Sequence, residues 1–152
     1  MTGTTQVGLW KVIFDREATL AAYGRLSVSK APRCSCQGCR NFRALDDIAF
    51  SIDIRNLLDQ LGIDPVLPAE IVISGNLEDG ECPYSSIFHF EGTLVDDEKE
   101  HMSPIGPNGS FFIHKGQGPA QPEAKFSRNI LTIEIYSKMK WVLNEAFGGG
   151  AS

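Results

Sequence analysis

The period of the apolar pattern changes from helical to strand-like after residue 62 of this chain, and that change restricts the fold class. Phe50, Ile54, Leu57, Leu58 and Leu61 recur at i, i+4, i+7, i+8 and i+11, which is one stripe of an amphipathic helix. Asp46 or Asp47 is placed to cap its start. Gly62 takes the left-handed position after Leu61, Ile63 folds back as the hydrophobic partner of that cap, and Pro65 prevents continuation. Beyond it the helical period is gone. Segments 70–74, 87–95, 110–115 and 129–136 are rich in Ile, Val and Phe and bounded by turns, as strands are. In the last, Leu131, Ile133 and Ile135 alternate with Thr132, Glu134 and Tyr136 in the manner of a half-buried strand. The expected fold is α+β, a mainly antiparallel sheet with one principal helix on a face and a zinc-binding cysteine loop.

Upstream, segment 7–14 reads as a strand and 23–29 as a second short one. Segment 32–42 reads as a loop because of its Pro and Gly. Segments 96–108 and 116–127 read as long polar or Gly/Pro-rich loops. For Trp141, Val142 and Leu143 the pattern leaves strand and helical turn both open. The chain is 152 residues long, which suits one domain over 1–147 with a frayed tail at 148–152.

The 32–42 segment carries the chemistry. Cys34, Cys36 and Cys39 place three soft ligands within six residues, a set that suits zinc if a fourth ligand arrives from elsewhere. Iron or copper at the same thiolates is a lesser alternative. Cys36-Gln37-Gly38-Cys39 has the form of a tight turn, with Gly38 at the position that commonly needs positive φ. Cys82, in the apparent turn Asp79-Gly-Glu-Cys-Pro83, is the leading fourth ligand, and His89 is the alternative. Arg33, Arg40 and Arg43 flank the cluster. They serve either to compensate the charge of a thiolate-bound ion or to contact phosphates.

Charge and composition limit the rest. The net charge is −5, but residues 1–45 carry about +5 and residues 46–152 about −10, a basic face beside an acidic body. No secretory signal is visible in the first residues, and no apolar run is long enough to span a membrane. A cytoplasmic location follows, where clustered cysteines act as ligands or redox groups more often than as disulfides. His89, His114 and Glu134 lie on expected strands, so a joint site is conceivable. His101 and the acidic run Asp96, Asp97, Glu98 and Glu100 read as a solvated loop. Neither G-x-S-x-G nor H-E-x-x-H occurs.

The run Cys34-Ser-Cys-Gln-Gly-Cys-Arg-Asn-Phe42, with Leu61-Gly-Ile-Asp-Pro65, Pro68-Ala-Glu70 and Phe88-His89-Phe90, resembles a group of short, uncharacterised bacterial proteins. These carry C-x-C-x-x-C-R-N-[FY] and L-G-I-D-P-x-x-P-A-E at similar separation. The resemblance spans roughly residues 23–95. It implies one folded unit whose three cysteines act together, and it carries no enzyme class.

Together these features describe a small zinc-binding protein whose metal is structural. Its role is binding, to an unknown protein or small-molecule partner, rather than catalysis. The alternatives are a metal-dependent or thiol-redox enzyme and a nucleic-acid-binding zinc module, the last opposed by the acidic body.

Overall fold

The computed structural model describes residues 2–26, 34–96, 101–118, 120, 122, 124–126 and 128–148. It is an α+β fold with a mostly antiparallel, open sheet of seven strands, and three α-helices among the described residues. Strands β1 (Thr2–Val7), β2 (Trp10–Asp15), β4 (Glu81–Leu94), β7 (Ile130–Lys140), β6 (Gly109–Lys115) and β5 (Ser103–Ile105) lie in that spatial order. Strand β3 (Glu70–Ile73) also pairs with β4.

The 14-residue β4 is the spine. Its residues 84–87 pair with β3, residues 92–94 pair with β2, and its other edge runs along β7 from Glu81↔Lys140 to Glu91↔Ile130. Between β3 and β2 the edge has no strand partner among the described residues, and helix α1 (Arg16–Gly24) fills the gap with side chains. The Tyr23 hydroxyl accepts from the His89 amide at 3.2 Å and donates to the His89 carbonyl at 2.8 Å, while Thr19 Oγ1 accepts from the Glu91 amide at 3.0 Å. Buried ladder groups left unpaired would each cost about 1–3 kcal/mol, so this patch keeps the long strand intact.

Helix α3 (Ile52–Leu61) buries the expected stripe of Ile54, Leu57, Leu58 and Leu61. Each fully buried aliphatic side chain contributes about 2 kcal/mol. Gly62 sits at φ 85° and the Ile63 amide returns to the Leu58 carbonyl at 2.9 Å, the left-handed cap expected from Gly62-Ile63. The start of the helix differs from expectation. Ser51 is the N-cap, its hydroxyl accepting from the Ile54 amide, and Asp46–Ile48 form a separate 3-10 turn.

Three further expectations are corrected. The segment 7–14 is not one strand but the closing half of a hairpin: Gly8 and Leu9 form a two-residue turn, with Val7 opposite Trp10. Segment 23–29 is not a strand over its described residues, because Tyr23 and Gly24 end α1. That helix starts where Asp15 accepts from the Ala18 amide at 3.0 Å. Finally, the described residues hold three α-helices rather than one principal one, since the cysteine segment itself is helical. Strands are found at 70–73, 109–115 and 130–140, close to the expected runs, while β5 lies inside an expected loop.

The sheet curls until its two ends touch. Trp10 packs against Phe111 and Phe112 at centroid distances of 5.6 and 5.2 Å. The hairpin turn presses so closely on β5 and β6 that a Cβ on Gly8 would lie 2.4 Å from Ser103 Oγ and 2.5 Å from the Phe111 ring. With φ at +58° as well, Gly8→Ala is expected to destabilise the protein by about 2 kcal/mol, measurable in a urea titration. An unchanged midpoint would mean that the two ends of the sheet are not held together. Among the described residues no helix is long and apolar enough to cross a membrane.

Candidate metal centre

Cys36 is the N-cap of helix α2 (Gln37–Leu45), with extended backbone at φ −67°, ψ 163°. The expected tight turn is therefore the first turn of a helix, and Gly38 lies inside it without positive φ. Cys39, Phe42 and Leu45 recur every third residue on the buried side and draw the segment into helical form. Gly38 serves close packing instead: a Cβ there would come within 3.0 Å of Ile73 on β3.

This geometry gathers Cys34, Cys36 and Cys39, whose sulfurs all lie within 4.8 Å of one another. Sulfurs bound to one zinc at about 2.3 Å stand roughly 3.8 Å apart in a tetrahedron, so the trio fits around a single ion. The group can hold a metal ion. Its exposure is graded, from exposed Cys34 through half-buried Cys36 to buried Cys39.

The N-terminus of a helix is a favourable place for anionic sulfur, because its first amides have no partner within the helix. The Cys36 amide donates to the Cys34 sulfur at 3.4 Å. No hydrogen bond of regular capping geometry closes on the Cys36 side chain. Burial pushes the Cys36 thiol up, but the Cys39 backbone and the neighbouring Cys34 and Cys39 thiols outweigh it and hold Cys36 below the ordinary thiol value. Burial, reinforced by the other two thiols, pushes Cys39 well up. Of Cys36 and Cys39, Cys36 is the first to ionise.

The Arg-Asn-Phe that follows Cys39 frames the trio. Arg40 donates through Nε to the Ser35 carbonyl at 2.9 Å, and its two terminal nitrogens grip Glu145 at 2.9 and 3.0 Å. Arg43 donates to the Cys34 carbonyl at 2.9 Å. Both arginines thus hold the backbone around the first two cysteines, while Arg33 lies outside the described residues. Asn41, fully buried, donates to the Lys140 carbonyl at 2.8 Å and accepts from the Val142 amide at 2.7 Å, mimicking a strand at the end of β7. Phe42 meets Phe50 edge-on at 5.9 Å in the core.

A C-terminal segment closes over this helix. Gln37 donates to Glu145 and to the Ala146 carbonyl, both at 2.8 Å, and accepts from the Gly148 amide at 2.7 Å. Trp141 donates to the Glu145 carbonyl and stacks edge-on against Phe147. The Arg40 guanidinium and the Gln37 amide hold the Glu145 carboxyl down, from 4.5 to about 2. Its contribution is therefore complete above pH 4.5 and lost as the pH falls toward about 2. Trp141 fluorescence is expected to change across that window, and Glu145→Gln to abolish the change. A flat signal in the native chain would contradict the strap.

The structure does not bring Cys82 into the trio. The turn before it is Asp79-Gly80, both at positive φ, and Cys82 is already in β4, fully buried opposite Met139. Burial raises its thiol. Contact between β4 and α2 passes through Tyr84, whose hydroxyl donates to the Gly38 carbonyl at 2.7 Å and receives Asn41 Nδ2 at 3.3 Å. His89 is seven residues further along β4, about 23 Å at strand rise from Cys82, with its ring bonded to the Gln117 carbonyl at 2.7 Å. His114 and Glu134 do meet, as a hydrogen-bonded pair across β6 and β7, with Tyr136 donating to the carboxylate and Phe112 stacked on the imidazole. His89 is not part of that pair. Asp96 accepts from the Lys11 amide, His101 is exposed, and Asp97, Glu98 and Glu100 lie outside the described residues.

The clamp formed by Asn41 and Tyr84 escaped sequence reasoning, since Asn41 and Lys140 are 99 positions apart. Comparison with family models, curated proteins and solved structures gave no significant match.

Proposed function

We propose that the chain is a zinc-binding protein in which Cys34, Cys36 and Cys39 hold the ion and fix the junction between the extended segment and α2. The carrying observation is the convergence of three sulfurs to within 4.8 Å at a helix N-terminus. Zinc is the fitting ion because it accepts thiolate ligands at tetrahedral corners without redox change. The role proposed is binding rather than catalysis. Three thiolates more than cancel the charge of Zn²⁺, so a water on such an ion is acidified less than on a histidine-ligated one.

Titration of metal-free, reduced protein with Zn²⁺ against a chromophoric chelator tests this. One equivalent should bind, release protons from the thiols and protect Cys34 and Cys36 from alkylation. Failure to take up zinc, with reductant-reversible loss of thiols in air, would replace this reading with a thiol-redox one.

A further inference from the structure

Among the described residues a zinc ion held by the trio has three protein ligands and one corner still to fill, and the other described donors stand elsewhere. Cys82 stands outside the group that shares the 4.8 Å neighbourhood, locked in the β4–β7 ladder against Met139. Both oxygens of Glu145, the carboxylate strapped over α2, are taken by Arg40 and Gln37. The His89 ring is bonded to Gln117, and His114 to Glu134. Cys39 is 4% exposed, whereas Cys34 is exposed, so the trio opens to solvent on the side of Cys34. A site built only to staple the fold would be closed by four protein ligands.

From this we infer that the ion's fourth corner faces solvent and is completed by an external thiolate, from a low-molecular-weight thiol or from another polypeptide. The inference rests on the zinc reading above. Thiolate is the matching donor because a cation already bound by three soft sulfurs takes a fourth soft ligand readily and makes little hydroxide. The step is a ligand substitution. The incoming thiol gives its proton to solvent, its sulfur replaces the bound water, and no electron changes hands.

Loading the reduced protein with Co²⁺ makes the count visible. Dilute protein should show a three-thiolate charge-transfer band, and Cys82→Ala should leave it unchanged. Added glutathione should raise the band by about a third as three metal–sulfur bonds become four. Native mass spectra should then show one glutathione per metal-loaded chain and none on metal-free chain. A rise that instead follows protein concentration, with doubled mass, would assign the thiolate to a second copy of this chain. A four-thiolate band in dilute protein that falls in Cys82→Ala would overturn the inference, as would a band that neither glutathione nor protein concentration alters. X-ray absorption of the unmutated protein, counting three or four sulfurs at the metal, decides the same point should the variant not fold. If Co²⁺ does not bind at all, the zinc reading itself fails.

Discussion

Asn41→Ala is expected to lower stability by about 3 kcal/mol and the melting midpoint by about 10 °C. Asn41 has no exposed surface, and its amide makes three hydrogen bonds, to the Lys140 carbonyl, the Val142 amide and the Tyr84 hydroxyl. Removing it unpairs two partly buried backbone groups at the end of β7 and takes one partner from the buried Tyr84 hydroxyl. A fully buried group left unpaired costs about 1–3 kcal/mol. Asn41→Asp keeps the acceptor for Val142 but loses both donations and buries a charge, so at neutral pH it should be at least as damaging. The effect should persist in metal-free protein, because the clamp is made by hydrogen bonds alone. A loss below about 1 kcal/mol would show that the end of β7 is held by something else.

Cys36→Ser should abolish zinc binding and remove about 4 kcal/mol of metal-dependent stability at zinc a thousandfold above Kd, about 10 °C in midpoint. The full free energy of structural zinc in small fingers, ~10–16 kcal/mol, is not expected to appear. Here a large apolar core around Phe50, Phe88, Leu58 and Ile133 supplies the stability that a small finger lacks, so metal is expected to add only its binding linkage. In chelator-treated samples the variant and the native chain should therefore melt within about 1 kcal/mol of each other. Cys82→Ala should behave oppositely, losing about 1–2 kcal/mol of packing with or without metal. Equal losses for Cys36→Ser in both conditions would mean that the sulfur stabilises the helix start and not an ion.

What the sequence made legible was local. The α3 stripe, its Gly62-Ile63 cap and the alternation in β7 each need only a few neighbouring residues, and all are present save that Thr132 is buried as well. The proximity of Cys34, Cys36 and Cys39 was legible for the same reason. The hairpin was missed because Val7 to Phe14 is apolar across a turn that only Gly8 marks. Helix α1 was hidden by Tyr23, a good strand former whose hydroxyl is used at the edge of β4 instead. The first half of β4 contains Pro83 and two serines, and pairing on both edges overrides that weak propensity. That ladder fixes Cys82 in the strand, so its place outside the trio's 4.8 Å group was decided by long-range pairing, not by spacing. Arg40 and Asn41 likewise find their partners about a hundred residues away, beyond any local pattern.

Native mass spectrometry of reduced protein, purified without added metal, tests the central claim most directly. One zinc per chain is predicted, retained in Cys82→Ala and absent from Cys36→Ser. A metal-free native chain that takes up no ion when zinc is supplied would contradict it.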